Sequence, residues 1–133
     1  MTDQVRILCV DDDPRAAELA ARQLATRGDG IDAVTATSVT EGLGVLSEQS
    51  IDCVVSDYEM PERNGLEFLS ELRDRGLDVP FILFTARGVE SVDSDAITPD
   101  LTDFLQKGRV DRYETLVDRI EDAIGDGGDD GHG

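Results

Sequence analysis

With 133 residues, 39% of them hydrophobic, the chain has the length and apolar content to bury one core of its own. Twelve basic residues against 30 acidic ones leave a net charge of −18, which argues against direct binding to nucleic acid phosphates or to anionic lipid. No apolar run approaches the roughly 18 residues of a membrane span. The polar start Met1-Thr2-Asp3-Gln4 lacks the basic region of a signal peptide, so a cytoplasmic protein with no membrane attachment is expected.

In chain order, Val5–Val10 reads as a short buried strand that runs into Asp11-Asp12-Asp13. Pro14 suits a first helical position with Asp13 as its cap, and apolar spacing through Ala16, Leu19, Ala20 and Leu24 predicts a helix that stops near Gly28. Ile31–Ala36 alternates as a strand. Ser38 or Thr40 can cap a second helix carrying Leu43 and Leu46. Residues 51–56 form a third buried strand, and 57–64, with Met60-Pro61, are turn-rich. A helix is predicted over 65–75, ending at Gly76. Pro80 opens a fourth strand over 81–84, where a missing N–H is tolerated. One short helix, broken at Thr98-Pro99, is expected within 85–100, followed by a fifth strand over 102–106. Tyr113, Leu116, Val117, Ile120 and Ile124 mark a last amphipathic helix, and the Gly- and Asp-rich stretch 125–133 is expected to be a disordered tail behind a domain spanning 1–124.

Strands that are apolar throughout and alternate with helices predict an α/β fold, a doubly wound five-stranded parallel sheet covered on both faces. In such sheets ligands sit outside the carboxyl ends of the strands. Strand one ends in the acidic run, strand three in Asp57, strand four in Thr85 and strand five in Lys107. A parallel sheet brings these to one edge. Carboxylates crowded there repel unless a cation joins them. Mg²⁺ suits such a cluster, because it takes one or two carboxylates and keeps water or a phosphate as its other ligands. Catalysis of phosphoryl transfer is mostly positioning and charge stabilisation, to which a threonine hydroxyl and a compact ammonium both contribute. Singly these residues have plainer readings: an Asp run before a helix is often only a cap, and Asp57 before Met-Pro could be a turn former. Lys107 weighs against them. Asp makes up 20 of the 30 acids and Arg 11 of the 12 bases, so Lys107 is the single lysine, and it stands at a strand end.

The segments ILCVDDDPRAAELA, CVVSDYEMPERNGLEFL, FILFTARG and TDFLQKG resemble the response regulator receiver family over roughly residues 5–124. The resemblance implies a flavodoxin-like strand order 2-1-3-4-5. It implies Asp57 as the phosphoacceptor. Asp12 and Asp57 would be direct Mg²⁺ ligands, Asp11 a ligand mainly through water, and the backbone carbonyl of Glu59 a further ligand. Thr85, the Ala86 N–H and Lys107 would bind the phosphoryl group, with Thr85 and Phe104 as the switch pair. Implied partners are a sensor histidine kinase or phosphotransfer protein, and an output partner or a second copy of the chain on the face made by the fourth helix, fifth strand and last helix. The chain departs from the family in having Gly108 where a proline usually follows the lysine, Phe104 where a tyrosine is common, and no clear helix pattern over 88–100.

Two other functions compete with the phosphorylation switch. One is a phosphorylation-independent docking module that keeps the fold; the complete set of Asp11, Asp12, Asp57, Thr85 and Lys107 speaks against it. The other is a Mg²⁺-dependent phosphohydrolase with Glu59 as second acid; no cap domain is visible to form its substrate pocket. Cys9 and Cys53 lie within apolar runs and read as buried free thiols, too few for a zinc site. The Asp and Arg bias reads as adaptation to a high-salt cytoplasm, as in a halophile, where screening removes the self-repulsion of so acidic a surface. The melting temperature should then rise with salt concentration; a melting temperature indifferent to salt contradicts the adaptation.

Overall fold

A computed structural model of the chain describes residues 5–28, 30–61, 63–85, 103–106 and 112–129, with the backbone alone for 103, 104, 106, 112 and 125–129. Five strands, β1 (Val5–Val10), β2 (Ile31–Ala36), β3 (Cys53–Ser56), β4 (Phe81–Thr85) and β5 (Asp103–Gln106), form one sheet in the order β2-β1-β3-β4-β5. Every pairing is parallel. Among the described residues four helices, α1 (Pro14–Arg27), α2 (Val39–Glu48), α3 (Gly65–Asp74) and α4 (Arg112–Asp129), cover it. The expected α/β doubly wound sheet and its strand order are both present.

The two-residue side-chain period of a strand divides the core into two. Ile7, Cys9, Val55, Ile82 and Phe84 pack with Leu24 of α1 and with Leu116 and Ile120 of α4. Leu8, Val10, Val54, Phe81 and Leu83 pack with Val39 of α2 and with Phe68, Leu69 and Leu72 of α3. All residues of β3 and β4 are buried, as strands covered on both faces must be. Burial pushes the Cys53 thiol well up, with neighbouring Cys9 and Asp52 adding to the shift, so it is a packed neutral group rather than a reactive thiolate. Among the described residues no helix is long and apolar enough to cross a membrane.

Side chains set the helix starts. Asp13 accepts the Arg15 N–H at 3.0 Å, with Pro14 at the first turn of α1, and the Gly28 N–H closes the far end on the Leu24 carbonyl at 2.9 Å. Ser38, rather than Thr40, caps α2 by accepting the Glu41 N–H at 3.0 Å. Asn64 and Glu67 cap α3 reciprocally, each side chain accepting the other's backbone N–H at 2.8 Å. The helix ends at Asp74, one residue before the expected boundary, and Gly76 takes the left-handed conformation at φ +81°.

Three boundaries differ from the sequence expectation. β3 begins at Cys53 rather than 51, because the Asp52 carboxylate, not a backbone carbonyl, accepts the Arg6 N–H at 2.8 Å. β4 takes in Thr85, which pairs with Gln106. α4 continues through 125–129, where the sequence predicts a tail; adding a residue to a formed helix costs far less than starting one, even where the residue is glycine. Apart from Thr85, the stretch 85–100 in which a short helix is expected, Ala86 included, lies outside the described residues, as do Lys107, Gly108 and residues 130–133.

Candidate functional site

The carboxyl edge of the sheet is built by continuing two ladders one residue past their strands. The Asp11 N–H donates to the Ala36 carbonyl at 3.1 Å and the Asp57 N–H to the Val10 carbonyl at 2.9 Å. Both aspartates are thus held by backbone bonds where β1 and β3 leave the sheet. Asp11 is buried, Asp57 half-buried and Asp12 exposed. One ligand oxygen from each lies within 4.8 Å of the others.

The run of three aspartates divides its labour. The Asp11 carboxylate accepts the Asp13 N–H at 3.0 Å, and the Asp13 carboxylate accepts the Arg15 N–H at 3.0 Å. Asp13 is therefore the cap of α1, as the sequence predicts, while Asp11 and Asp12 remain at the cluster. Next to Asp57, the Tyr58 N–H donates to its Oδ1 at 2.8 Å. The following loop is pinned by the Gly65 N–H on the Tyr58 carbonyl at 2.8 Å. Glu59 lies exposed in this loop and, with Asp12, Tyr58, Met60, Pro61 and Asn64, lines an open depression beside the cluster. On the other side, Ala16, Ala17 and Ala20 of α1 leave a narrow pocket that reaches from Cys9 and Phe84 to Asp11 and Asp57.

Ser56 pairs with Leu83, so Asp57 and Thr85 emerge at the same edge on adjacent strands. Thr85 is 1% exposed, a hydroxyl held at the end of a fully buried strand. In β5 the backbone of Phe104 pairs with Leu83 of β4, and the Phe104 side chain lies outside the described residues. Gln106 faces Thr85, so the strand that leads to Lys107 ends level with the strand that ends at Thr85. Of the predicted site residues, then, Asp11, Asp12 and Asp57 meet directly, and Thr85 and Glu59 stand at the same edge.

The donor set fits a small hard cation. Three carboxylate oxygens within 4.8 Å of one another approach the spacing of about 3–4 Å that ligands at 2.0–2.1 Å from an octahedral ion adopt. Asp11 and Asp12 are the side-chain candidates beside Asp57, and the Glu59 carbonyl is the backbone candidate. Sequence reasoning missed two neighbours. Ser56, fully buried, donates its hydroxyl to the Asp57 carbonyl at 2.9 Å. Gly65 sits so close that a Cβ there would stand 2.5 Å from that same oxygen. A polar residue closing the otherwise apolar run CVVS was the available signal for Ser56; Gly65 read only as a helix start.

The family model described as response regulator receiver domain matches residues 7–121. The transcriptional regulatory protein GlrR of Escherichia coli is 35% identical over 118 residues, which cover 89% of this chain and 26% of GlrR. The chain thus spans about a quarter of the length of that curated relative. Among solved structures, the response regulator protein TrrA of Thermotoga maritima, in complex with Mg²⁺–BeF, is 30% identical with a TM-score of 0.72, covering 88% of this chain and 99% of TrrA. A response regulator receiver domain protein from Clostridium thermocellum is 28% identical with a TM-score of 0.80, covering 92% and 96% of the two chains.

Proposed function

The chain belongs to the response regulator receiver domain family, and from that premise we propose that it is a phosphorylation-dependent signalling switch whose phosphoacceptor is Asp57. The observation that carries the reading is the meeting of Asp11, Asp12 and Asp57 at the carboxyl edge of the sheet. The donor is a phosphohistidine on a sensor histidine kinase or a phosphotransfer protein. An oxygen of the Asp57 carboxylate forms a bond to phosphorus as the bond from phosphorus to the histidine nitrogen breaks, and the electron pair leaves with that nitrogen. The carboxylate is already an anion, so the attack needs no base.

Asp12, Asp57, the Glu59 carbonyl and, through water, Asp11 would hold Mg²⁺, which supplies positive charge to offset repulsion between the nucleophile and the phosphoryl oxygens. The Thr85 hydroxyl, the Ala86 N–H and the Lys107 ammonium would take the phosphoryl oxygens. The new charge then biases a two-state equilibrium in which Thr85 and Phe104 move together. The surface that responds is the one around β5 and α4, where an output partner or a second copy docks. Such a chain is a phosphoacceptor that assists its own loading and unloading, not a turnover enzyme. The resemblance to TrrA, solved with Mg²⁺–BeF, supports the choice of Mg²⁺.

The reading is tested with Mg²⁺ and beryllium fluoride together, a mimic of a bound phosphoryl group, read by tyrosine emission. The chain has no tryptophan, and Tyr58 follows the acceptor directly. A saturable change that requires both components is expected. A folded chain that gives no change with either or both would fit a docking module that is independent of phosphorylation.

A further inference from the structure

The residue before Asp57 is fully buried, yet polar. Ser56 closes β3, and the two-residue period places its side chain on the face of Val54, toward the α2 and α3 layer. Its hydroxyl donates to the Asp57 carbonyl at 2.9 Å. The first residue of α3 closes on the same oxygen. A Cβ on Gly65 would stand 2.5 Å from the Asp57 carbonyl oxygen and 2.7 Å from Leu83 Cδ1, so any larger residue forces that carbonyl or the helix to move.

That carbonyl shares a peptide unit with the Tyr58 N–H, and the Tyr58 N–H donates to Asp57 Oδ1 at 2.8 Å. A peptide unit is planar, so fixing its oxygen fixes the direction of its N–H. The chain of contacts runs from the Ser56 hydroxyl and Gly65, through one rigid plane, to the carboxylate of the acceptor. Rotation of the plane would swing the N–H out of line and release the carboxylate to turn. Attack on phosphorus needs a carboxylate oxygen aligned at short range, and a misplacement of about 1 Å can cost about 100-fold in rate.

We infer that Ser56, with Gly65, is a positioning residue that orients the Asp57 carboxylate through the Asp57–Tyr58 peptide. The inference rests on Asp57 being the phosphoacceptor. In the reaction, an Asp57 oxygen bonds to phosphorus while the donor's bond to phosphorus breaks, its electron pair leaving as acetate when the donor is acetyl phosphate; Ser56 gives up no proton and touches no reacting atom.

The test compares the native chain with Ser56→Ala, Ser56→Cys and Ser56→Thr. Ser56→Cys keeps the volume and offers only a weak donor, so it reads the hydrogen bond even where Ser56→Ala disturbs packing; Ser56→Thr keeps the hydroxyl. Two quantities are read: hydrogen exchange of the Tyr58 amide in metal-free protein, and the rate of loading from acetyl phosphate per folded molecule with Mg²⁺. Ser56→Ala and Ser56→Cys are expected to speed the exchange and slow the loading, each about tenfold, a modest part of the loss that misplacement can cause. Ser56→Thr should keep both within about threefold of native, the range left by a retained hydrogen bond. A role confined to stability would lower the melting temperature and leave the rate per folded molecule at its native value; that result overturns the positioning role alone. A native chain that accepts no phosphoryl group overturns the acceptor reading and the positioning role together.

Discussion

Phe68→Ala should destabilise the chain by about 3–5 kcal/mol, a large share of the stability of a domain this size. Phe68 is fully buried on α3 and meets Phe81 edge to face, with ring centroids 5.6 Å apart and planes at 78°. Truncation removes the transfer free energy of the ring and leaves a cavity that α2, α3 and the sheet cannot easily collapse. The lost aromatic pair adds about 0.5–1.5 kcal/mol beyond area burial. The surroundings are already tight: a Cβ on Gly42 of α2 would lie 3.1 Å from the Phe68 ring. Domains of this size are stable by only about 5–15 kcal/mol, and the net charge of −18 draws on that margin at low salt. Chemical denaturation in high salt checks the figure. A loss below about 1 kcal/mol would mean that the packing of α3 against β4 is not what holds this face together.

The same packing explains why so much of the fold could be read from sequence. β1 and β2 carry apolar residues on the faces their neighbours cover, and their bounds match the expectation. Asp13-Pro14 and Gly28 punctuate α1 through local hydrogen bonds, which sequence spacing captures. What sequence could not show depends on partners far along the chain. β3 starts late because Asp52 reaches Arg6, and β4 includes Thr85 because Gln106 pairs with it. Neither bond has a local signature.

The site divides along the same line. Asp11, Asp12, Asp57 and Thr85 were legible because a parallel sheet gathers the residues that follow its strands. The Asp11 bond to the Asp13 N–H and the Ser56 bond to the Asp57 carbonyl were not, since each depends on a turn geometry that many sequences share. Gly65 is the sharpest case. Its lack of a side chain matters only because Leu83 and the Asp57 carbonyl converge on it in three dimensions.

Asp57→Asn should abolish phosphoryl loading while leaving the fold intact. Asparagine has nearly the same shape, and its amide oxygen can still accept the Tyr58 N–H that now meets Oδ1. What it lacks is the anion. A neutral amide does not attack phosphorus, and the cluster with Asp11 and Asp12 loses one of its three carboxylates. In metal-free buffer the variant should melt at or above the native temperature, because one like charge has left a crowded group. This keeps loss of function separate from loss of structure.

The most direct measurement is the intact mass of native chain and of Asp57→Asn after incubation with acetyl phosphate in high salt, with and without Mg²⁺. The switch predicts one phosphoryl adduct on the native chain, dependent on Mg²⁺ and absent from the variant. An adduct of equal yield on Asp57→Asn, or none on a folded native chain, would contradict it.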